Sequence, residues 1–261
     1  MREPFLRIQG LSKSFGGVNA VSGVSFEARL GQIVAIIGPN GAGKTTLFNM
    51  ISGIVPPDGG EIWLGNRRID GLPPHRVTAH GLARTFQNVQ LFGNMTVLEN
   101  VMMGCYRRER AGLIRSALGL AGREERETKT SARRRLAQVG LVDREELPAP
   151  SLALGEQRLL ELARALAAEP RLLLLDEPTA GLNRVETIRL AAMITRMPAN
   201  DRTVLLVEHD MNMVMSVADW VVVLNYGEKL AEGRPEQMQQ DPRVLKAYLG
   251  EDNGNTWASG G

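Results

Sequence analysis

The sequence predicts an α/β fold with a mostly parallel sheet, and two observations support this prediction. Short and almost wholly apolar runs, such as Ile33–Ile37 and RLLLLD at residues 171–176, are typical of parallel strands that are buried on both faces. Segments with helical amphipathic spacing alternate with such runs through the second half of the chain, as in α/β folds. The length of 261 residues suits one large domain or two small lobes.

Composition narrows the class of protein. The apolar content of 43% and the charged content of 23% are ordinary for a soluble globular chain. A net charge of +2 argues against a dedicated nucleic-acid binder, although a pI of 8.9 would not repel an anionic membrane surface. Cys105 is the only cysteine, so no internal disulfide forms and we expect a reducing compartment. The longest apolar runs are strand-sized, so we expect no membrane crossing and no signal peptide.

The first half of the chain predicts strands that lead into a glycine-rich loop and a helix. Residues 5–15 and 24–38 are predicted strands, the second ending in the apolar run before the loop. A helix over residues 45–54 is closed by the turn residues PPDGG, and residues 61–69 form a further predicted strand. Thr96 and Glu99 have the spacing of a capping box, which predicts that another helix begins there.

The second half predicts helix and strand in alternation. Charges of both signs alternate in residues 106–135, which indicates a peripheral helical segment. Residues 151–166 predict an amphipathic helix with Ser151 and Gly155 at its start. Residues 251–261 form a tail that we expect to be disordered. Between them come strands at 171–176 and 203–209, helices at 185–194 and 210–218, a strand pair at 221–233 and a last helix at 244–250.

The stretch GPNGAGKT at residues 38–45 has the G-x-x-x-x-G-K-[ST] spacing of a phosphate-binding P-loop. Its backbone N–H groups are expected to face phosphate oxygens, Lys44 to reach the terminal phosphates, and the Thr45 hydroxyl to bind Mg²⁺. A plain glycine-rich turn would explain Gly38 but not the Lys-Thr pair. The predicted nucleotide-binding residues here are Gly38, Pro39, Asn40, Gly41, Ala42, Gly43, Lys44, Thr45 and Thr46.

Two further strands end in candidate catalytic groups. Asp176 and Glu177 follow an apolar strand at its carboxyl end, where open α/β sheets bind ligands. We expect Asp176 to hold Mg²⁺ through its water shell and Glu177 to activate water, the alternative being a solvated acidic turn. His209 ends another apolar strand, and it is either a γ-phosphate contact or a structural histidine. For His75 and His80 we favour structural roles.

The order of several motifs resembles the nucleotide-binding subunit of ABC transporters across residues 1–250. These motifs are GPNGAGKT, the glutamine in RTFQNV, LALGEQR, LLLLDEP, AGLN and VEHD. The chain is similar, more narrowly, to ATP-binding subunits of branched-chain amino acid importers. FGGVNAV, RTFQNVQLFGNMTVLENV with the charged insertion after it, LLLLDEPTAGLNRVET and DPRVLKAYLG carry that narrower resemblance.

The resemblance implies one nucleotide-binding domain over residues 1–250 with an N-terminal antiparallel β part. Its P-loop ATPase core would comprise residues 1–86 and 170–250, and residues 87–169 would be an inserted helical subdomain. It further implies that Gln87 contacts Mg²⁺ or the attacking water and that Phe15 stacks on adenine, although Phe15 could equally belong to the core.

The resemblance also gives the helix start at residue 154 a role. In that family two cassettes meet head to tail, and each offers this start to the nucleotide of the other, so we expect Leu154, Gly155 and Glu156 to face a second subunit's ATP. The usual family motif is LSGGQ, whereas Ala153 here lacks the serine hydroxyl. Capture of phosphate would therefore rest on backbone N–H groups and the helix dipole.

The expected activity is ATP hydrolysis, with ATP and Mg²⁺ as cofactors, that energises an importer of branched-chain amino acids. The implied partners are transmembrane permease subunits, a second ATPase subunit that is identical or paralogous, and indirectly a substrate-binding protein, at the cytoplasmic face of the cell membrane. The basic residues of 107–135 would lie near the anionic leaflet or the membrane subunits. Alternatives are import of urea or short amides, a soluble ATPase for iron-sulfur cluster assembly, and a nucleotide-binding switch that hydrolyses little.

Overall fold

The computed structural model describes residues 4–105 and 121–249, which contain two β-sheets. The smaller sheet is antiparallel, with strand order β2-β1-β4-β5. Leu6, Ile8 and Leu11 of its central strand β1 are buried, so one face of this sheet covers a hydrophobic core. Its strands are β1 (Pro4–Phe15), β2 (Val18–Arg29), β4 (Gly59–Leu64) and β5 (Arg67–Arg68).

The larger sheet has six strands in the order β10-β9-β3-β8-β7-β6, and only the β9–β10 pair is antiparallel. All residues of β3, β7 and β8 are buried, as expected for parallel strands covered by helices on both faces. The strands are β3 (Ile33–Ile37), β6 (Leu82–Arg84), β7 (Leu172–Asp176), β8 (Thr203–Val207), β9 (Trp220–Asn225) and β10 (Glu228–Gly233). The predicted α/β fold class with a mostly parallel sheet is confirmed.

Nine α-helices lie in the described residues, and their caps follow from the sequence. The side chains of Thr96 and Glu99 each accept the other's backbone N–H, at 3.2 and 2.8 Å, which is the predicted capping box. Asn183 and Glu186 form a second one. The helices are α1 (Lys44–Ile51), α2 (Pro74–Ala79), α3 (Val97–Cys105), α4 (Ala121–Val139), α5 (Leu154–Ala167), α6 (Arg184–Thr195), α7 (Met211–Val217), α8 (Pro235–Gln240) and α9 (Pro242–Leu249).

The hydrophobic core is divided between the sheets and the helices. One cluster fills the space between the antiparallel sheet and the larger sheet, with Phe48 of α1 among its largest buried side chains. A separate cluster is made by α3, α4, α5 and their connections, with Leu136 and Leu160 fully buried in it. Helices α5 and α6 also cover one face of β7 and β8. Helix α5 therefore contributes to both the helical cluster and the sheet.

Several expectations drawn from the sequence differ from the structure. Residues 24–38 are not one strand, because β2 ends at Arg29 in the antiparallel sheet and β3 begins at Ile33 in the larger sheet. Residues 61–69 are not one strand, because Gly65, with φ of 57°, turns the chain between β4 and β5. Ser151 does not cap α5: it ends a short 3-10 helix, its hydroxyl donates to the Pro148 carbonyl, and α5 begins at Leu154. The sequence analysis also missed α2, β6 and α8, which are short elements without a periodic apolar pattern.

The interpretation of the charged segment 106–135 can be compared with the structure only in part. Residues 121–135 lie in α4 and are helical as expected, whereas 106–120 lie outside the described residues, as does the tail 251–261. Within the described ranges, no helix has both the length and the apolar character needed to cross a bilayer.

The central position of β8 makes its side chains critical for stability. We expect Leu205→Ala to lower the free energy of unfolding by about 2–5 kcal/mol, because Leu205 is 0% exposed and its loss leaves a cavity in the core between the two sheets. Leu147→Ala is the matched control, since Leu147 is 39% exposed, and it should cost well under half as much. Urea unfolding followed by circular dichroism measures both; equal losses would contradict the assignment of β8 to the core.

Candidate active site

The loop between β3 and α1 is shaped by three glycines with positive φ, and at two of them there is no space for a side chain. Gly38, Gly41 and Gly43 have φ values of 153°, 76° and 98°. A Cβ at Gly38 would collide with the backbone carbonyl of Leu224, and one at Gly43 with that of Ala20. Gly43 is the N-cap of α1 and gives no side-chain cap, so the N–H groups of the first helical turn are available to an anion.

Lys44 places a positive charge inside this loop. Its buried Nζ donates to the carbonyls of Gly38 and Pro39, at 2.6 and 2.9 Å. Thr45 follows it on the exposed side of the helix start. A nucleoside triphosphate with Mg²⁺ requires an ammonium group and backbone N–H groups for its phosphates and a hydroxyl oxygen for the metal ion. The residues of this loop therefore fit both the triphosphate and Mg²⁺.

Among the described residues, no metal site is formed by His, Cys, Asp and Glu side chains alone. The described residues contain no group of three or more His, Cys, Asp or Glu side chains that could hold an ion. Mg²⁺ bound to nucleotides is typically held by one or two protein oxygens, by phosphates and by water. The Thr45 hydroxyl and the Asp176 carboxylate are the protein oxygens that would serve here.

Asp176 at the end of β7 is held by an arginine that sequence reasoning missed. Its carboxylate lies 2.8 Å from Arg84 Nη2, and both side chains are 6% exposed. Arg84 Nη1 also donates to Asn49 of α1 and to Ser52, the residue that caps the end of α1, at 2.8 Å each. The two terminal nitrogens of the guanidinium are thus satisfied, whereas Arg84 Nε is buried without a hydrogen-bond partner among the described residues. Arg84 thus fixes Asp176 against the helix that follows the phosphate loop.

Glu177 stands next to Asp176 with a strained backbone. Its φ of 46° is in the left-handed region, which costs a residue other than glycine about 1–3 kcal/mol and is frequent at active sites. Its N–H donates to the Val207 carbonyl of β8 at 2.9 Å. Its carboxylate accepts a hydrogen bond from Gln87 Nε2 at 2.8 Å. The structure therefore brings together Gln87 and Glu177, which are 90 residues apart in sequence.

His209 lies at the same edge of the sheet as Glu177 and the phosphate loop. β8 is paired with β3 on one side and β7 on the other, with Val207 opposite both Ile36 and Asp176. The His209 side chain is 65% exposed, and its Nδ1 lies 3.8 Å from the buried Glu208 carboxylate. An exposed imidazole at this edge is free to approach a phosphate bound in the loop. His80, by contrast, contacts Arg67 of β5 at 3.1 Å.

The start of α5 is open to an anion through its backbone alone. Ala153 is its N-cap and provides no side-chain hydrogen bond, while the Glu156 carboxylate accepts the Ala153 N–H at 3.2 Å. A Cβ at Gly155 would meet the Glu186 carboxylate, so a larger residue there would require the Glu186 side chain to shift. Leu154 is partly exposed and packs on Gly181. In the single chain this helix start therefore contacts the segment 181–186 that follows Glu177.

Phe15 ends β1 and is 49% exposed, so the alternative that it belongs to the core is wrong. Lys13 Nζ lies 5.5 Å from the centre of its ring. An exposed ring can stack on a planar base, so the contact between Phe15 and adenine stays a prediction.

Helix α5 holds the Gln87 loop with two side chains that sequence reasoning also missed. Arg158 donates to the Gln87 carbonyl at 3.1 Å and to the Ala180 carbonyl at 3.0 Å. The Glu161 carboxylate accepts the N–H groups of Phe86 and Gln90, at 3.3 and 3.5 Å. Burial raises the pKa of Glu161, an effect that these hydrogen bonds and nearby Arg164 oppose. In sequence, both residues look like ordinary polar positions of an amphipathic helix.

The raised pKa of Glu161 predicts a pH-dependent stability. The folded protein disfavours the ionised Glu161 carboxylate. The contribution of Glu161 to the free energy of unfolding is therefore greatest below the ordinary pKa of 4.5 and falls as pH rises through the raised pKa. Glu161→Gln keeps the single oxygen that accepts both N–H groups but cannot ionise. We expect the melting temperature of wild type relative to this variant to decrease between about pH 4.5 and pH 8. A difference that stays constant over this range would contradict the prediction.

Comparisons with known proteins agree with this geometry. A family model described as ABC transporter matches residues 21–180, and one described as branched-chain amino acid ATP-binding cassette transporter matches residues 228–253. The chain is 45% identical to the high-affinity branched-chain amino acid transport ATP-binding protein BraF of Pseudomonas aeruginosa, over 96% of this chain and 100% of BraF. It is 42% identical to LivG of Escherichia coli, which has the same description, over the same shares.

The fold agrees as well. A solved ATP-binding cassette of an ABC transporter in its ADP conformation has a TM-score of 0.84 and 32% identity, over 95% of this chain and 100% of that one. Because the ABC transporter model matches residues 21–180 and the chain is 45% identical to BraF over 96% of its length, the chain belongs to the ATP-binding subunits of the ABC transporter family.

Proposed function

We propose that this chain hydrolyses ATP to drive the import of branched-chain amino acids. The observation that carries the ATPase proposal is the Glu177 carboxylate, held by Gln87 at the sheet edge that also bears the phosphate loop. The cargo proposal is supported by the near full-length identity to BraF and LivG and by the match of residues 228–253 to the branched-chain family model.

Binding of Mg²⁺-ATP would use the loop between β3 and α1. The N–H groups at the start of α1 would face the phosphates, whereas the Ala42 N–H donates to the Pro39 carbonyl. Lys44 would neutralise the terminal phosphates, and Phe15 would stack on the base. Thr45 and Asp176 would hold Mg²⁺, Asp176 through water, with Arg84 fixing the carboxylate. When bound, Mg²⁺ stabilises the negative charge that develops on the phosphates.

Hydrolysis would be carried out by groups at the same edge. Glu177 accepts a proton from the attacking water as that water forms a bond to the γ-phosphorus and ADP leaves. Gln87 donates to Glu177 and so orients its carboxylate toward the water. His209 contacts the γ-phosphate. These roles need no rearrangement of the sheet, because all three residues follow strands that end together.

Closure would require a second copy or a paralogue of the chain. Helix α5 begins with Leu154, Gly155 and Glu156. The Ala153 side chain makes no hydrogen bond to the first N–H groups of this helix. We propose that the start of α5 faces the γ-phosphate of the ATP bound by the partner subunit. It would bind this phosphate through backbone N–H groups and the helix dipole rather than through a serine hydroxyl.

Transmembrane permease subunits would dock at the Gln87 loop, with the chain lying peripherally on the cytoplasmic face of the membrane. Exposed apolar side chains lie near this loop: Phe92 and Met103 line one pocket with Gln90 and are 41% and 37% exposed, and Phe86, next to Gln87, is 38% exposed. Closure of the cassette pair would then move these subunits through the segment 87–169, which we propose as the helical subdomain. A substrate-binding protein would act on the other side of the membrane and not contact this chain.

The role of Glu177 is tested by its neutral isostere. We expect Glu177→Gln to lower ATP turnover by about 10²–10⁴-fold with the affinity for ATP unchanged, because it removes the base and keeps the shape. Lys44→Ala is the contrasting control and should weaken nucleotide binding itself. Phosphate release and equilibrium binding of labelled ATP measure the two effects. Near-normal turnover in Glu177→Gln would refute the assignment, and very low turnover of wild type with its membrane partners would favour a switch.

The cargo is tested by the partners that co-purify. Extraction of the chain from detergent-solubilised membranes is expected to recover two permease subunits. Vesicles containing that assembly and its binding protein should take up leucine in an ATP-dependent manner and should not take up urea. Uptake of urea alone, or recovery of no membrane protein, would contradict the proposal and favour the urea importer or the soluble assembly respectively.

A further inference from the structure

A fully buried carboxylate next to His209 has no role in the hydrolysis described above. Glu208 is 0% exposed. One of its oxygens accepts both the N–H of Thr179, at 2.9 Å, and the Thr179 hydroxyl. The other accepts the N–H of His209 at 3.1 Å. Burying a carboxylate is costly unless it is hydrogen-bonded, and here three donors from two separate loops satisfy it.

These bonds join the loop of Glu177 to the end of β8. Thr179 follows Glu177 by two residues, and the Glu177 N–H is itself bonded to the Val207 carbonyl at 2.9 Å. Residues 177 and 179 are therefore fastened to residues 207 and 208, one on each side of Pro178. This double attachment surrounds the residue that carries the left-handed backbone, and such a conformation persists only when neighbouring contacts hold it.

We infer that Glu208 is a positioning residue that fixes the distance between the Glu177 carboxylate and the His209 side chain. It acts through Thr179 on one loop and through the His209 backbone on the other, and its complete burial keeps it from the solvent-exposed side of the site. The inference rests on the proposed function, since it assigns Glu177 and His209 to one reaction. From the opposite side, Arg158 of α5 binds the Ala180 carbonyl at 3.0 Å, so the loop is held between α5 and β8.

The chain offers a matched pair of threonines to test this inference. Thr179→Val keeps the shape of the side chain and removes the hydroxyl that donates to Glu208, whereas Thr179→Ser keeps the hydroxyl. Thr203→Val is the control for general loss of a buried hydroxyl. Thr203 lies at the other end of β8, is 0% exposed, donates to the Arg29 carbonyl at 3.2 Å and accepts the Gly31 N–H at 3.3 Å.

We expect Thr179→Val to lower kcat for ATP by roughly tenfold with Kd for ATP within about twofold of wild type, because misplacement affects the reaction and not binding. Thr179→Ser should restore most of kcat. Thr203→Val should lower the melting temperature and leave kcat unchanged. Glu208→Gln supplies a second measurement: its amide can still accept from Thr179 but opposes the His209 N–H with a donor, so kcat should again fall with Kd preserved.

Either of two results would overturn the inference: kcat of Thr179→Val and Glu208→Gln at the wild-type level, or a fall that Thr203→Val reproduces at a similar loss of stability. Failure of the proposed function is a different outcome. If the proposed function is wrong, Glu177→Gln hydrolyses ATP as fast as wild type. If only the positioning role is wrong, Glu177→Gln abolishes hydrolysis and Thr179→Val leaves it intact.

Discussion

The carboxyl ends of β3, β7 and β8 lie at one edge of the six-stranded sheet, because these strands are parallel, adjacent and paired in register. The phosphate loop, the Asp176–Glu177 pair and the Glu208–His209 pair each follow one of these strands directly. Strand separation therefore sets the spacing of the points where these segments begin, and contacts between the loops then position their side chains. Burial of apolar side chains stabilises this arrangement, since every residue of the three strands is buried.

Helix α5 connects this edge to the rest of the molecule. Its first turn contacts the segment after Glu177, and its second turn carries Arg158, which binds the Gln87 and Ala180 carbonyls together. Glu161 then holds the backbone on either side of Gln87. A displacement of α5 would consequently move the Gln87 loop and the Glu177 loop at once. This physical link couples the proposed subunit contact at Gly155 to the proposed membrane contact at Gln87.

Local patterns were sufficient to predict part of the fold and of the candidate site. The glycine spacing of residues 38–45, the apolar strands before Asp176 and His209, and the Thr96–Glu99 capping box all depend on neighbours in sequence. β6 was missed because its three residues are recognisable only through pairing with β7. Ser151 was misplaced because a 3-10 turn precedes the helix, which local capping preferences do not distinguish.

The supporting side chains of the site were beyond sequence reasoning for a different reason. Arg84, Arg158, Glu161 and Glu208 look like ordinary polar residues, and, apart from His209 beside Glu208, the hydrogen-bond partners named above lie between 22 and 92 residues away. Burial gives them their importance, and burial follows from the packing of α5 and the sheets. The family resemblance supplied the pairing of cassettes, which the periodicity of α5 alone does not contain.

The most direct test of the account is a structure of the Glu177→Gln variant with Mg²⁺ and ATP. The account predicts a triphosphate within hydrogen-bond distance of the Lys44 ammonium, a metal ion beside Thr45 and Asp176, and the Gly155 N–H of a second cassette subunit at the γ-phosphate. A nucleotide bound away from the loop at residues 38–46, or one whose γ-phosphate has no contact with any second subunit, would contradict it.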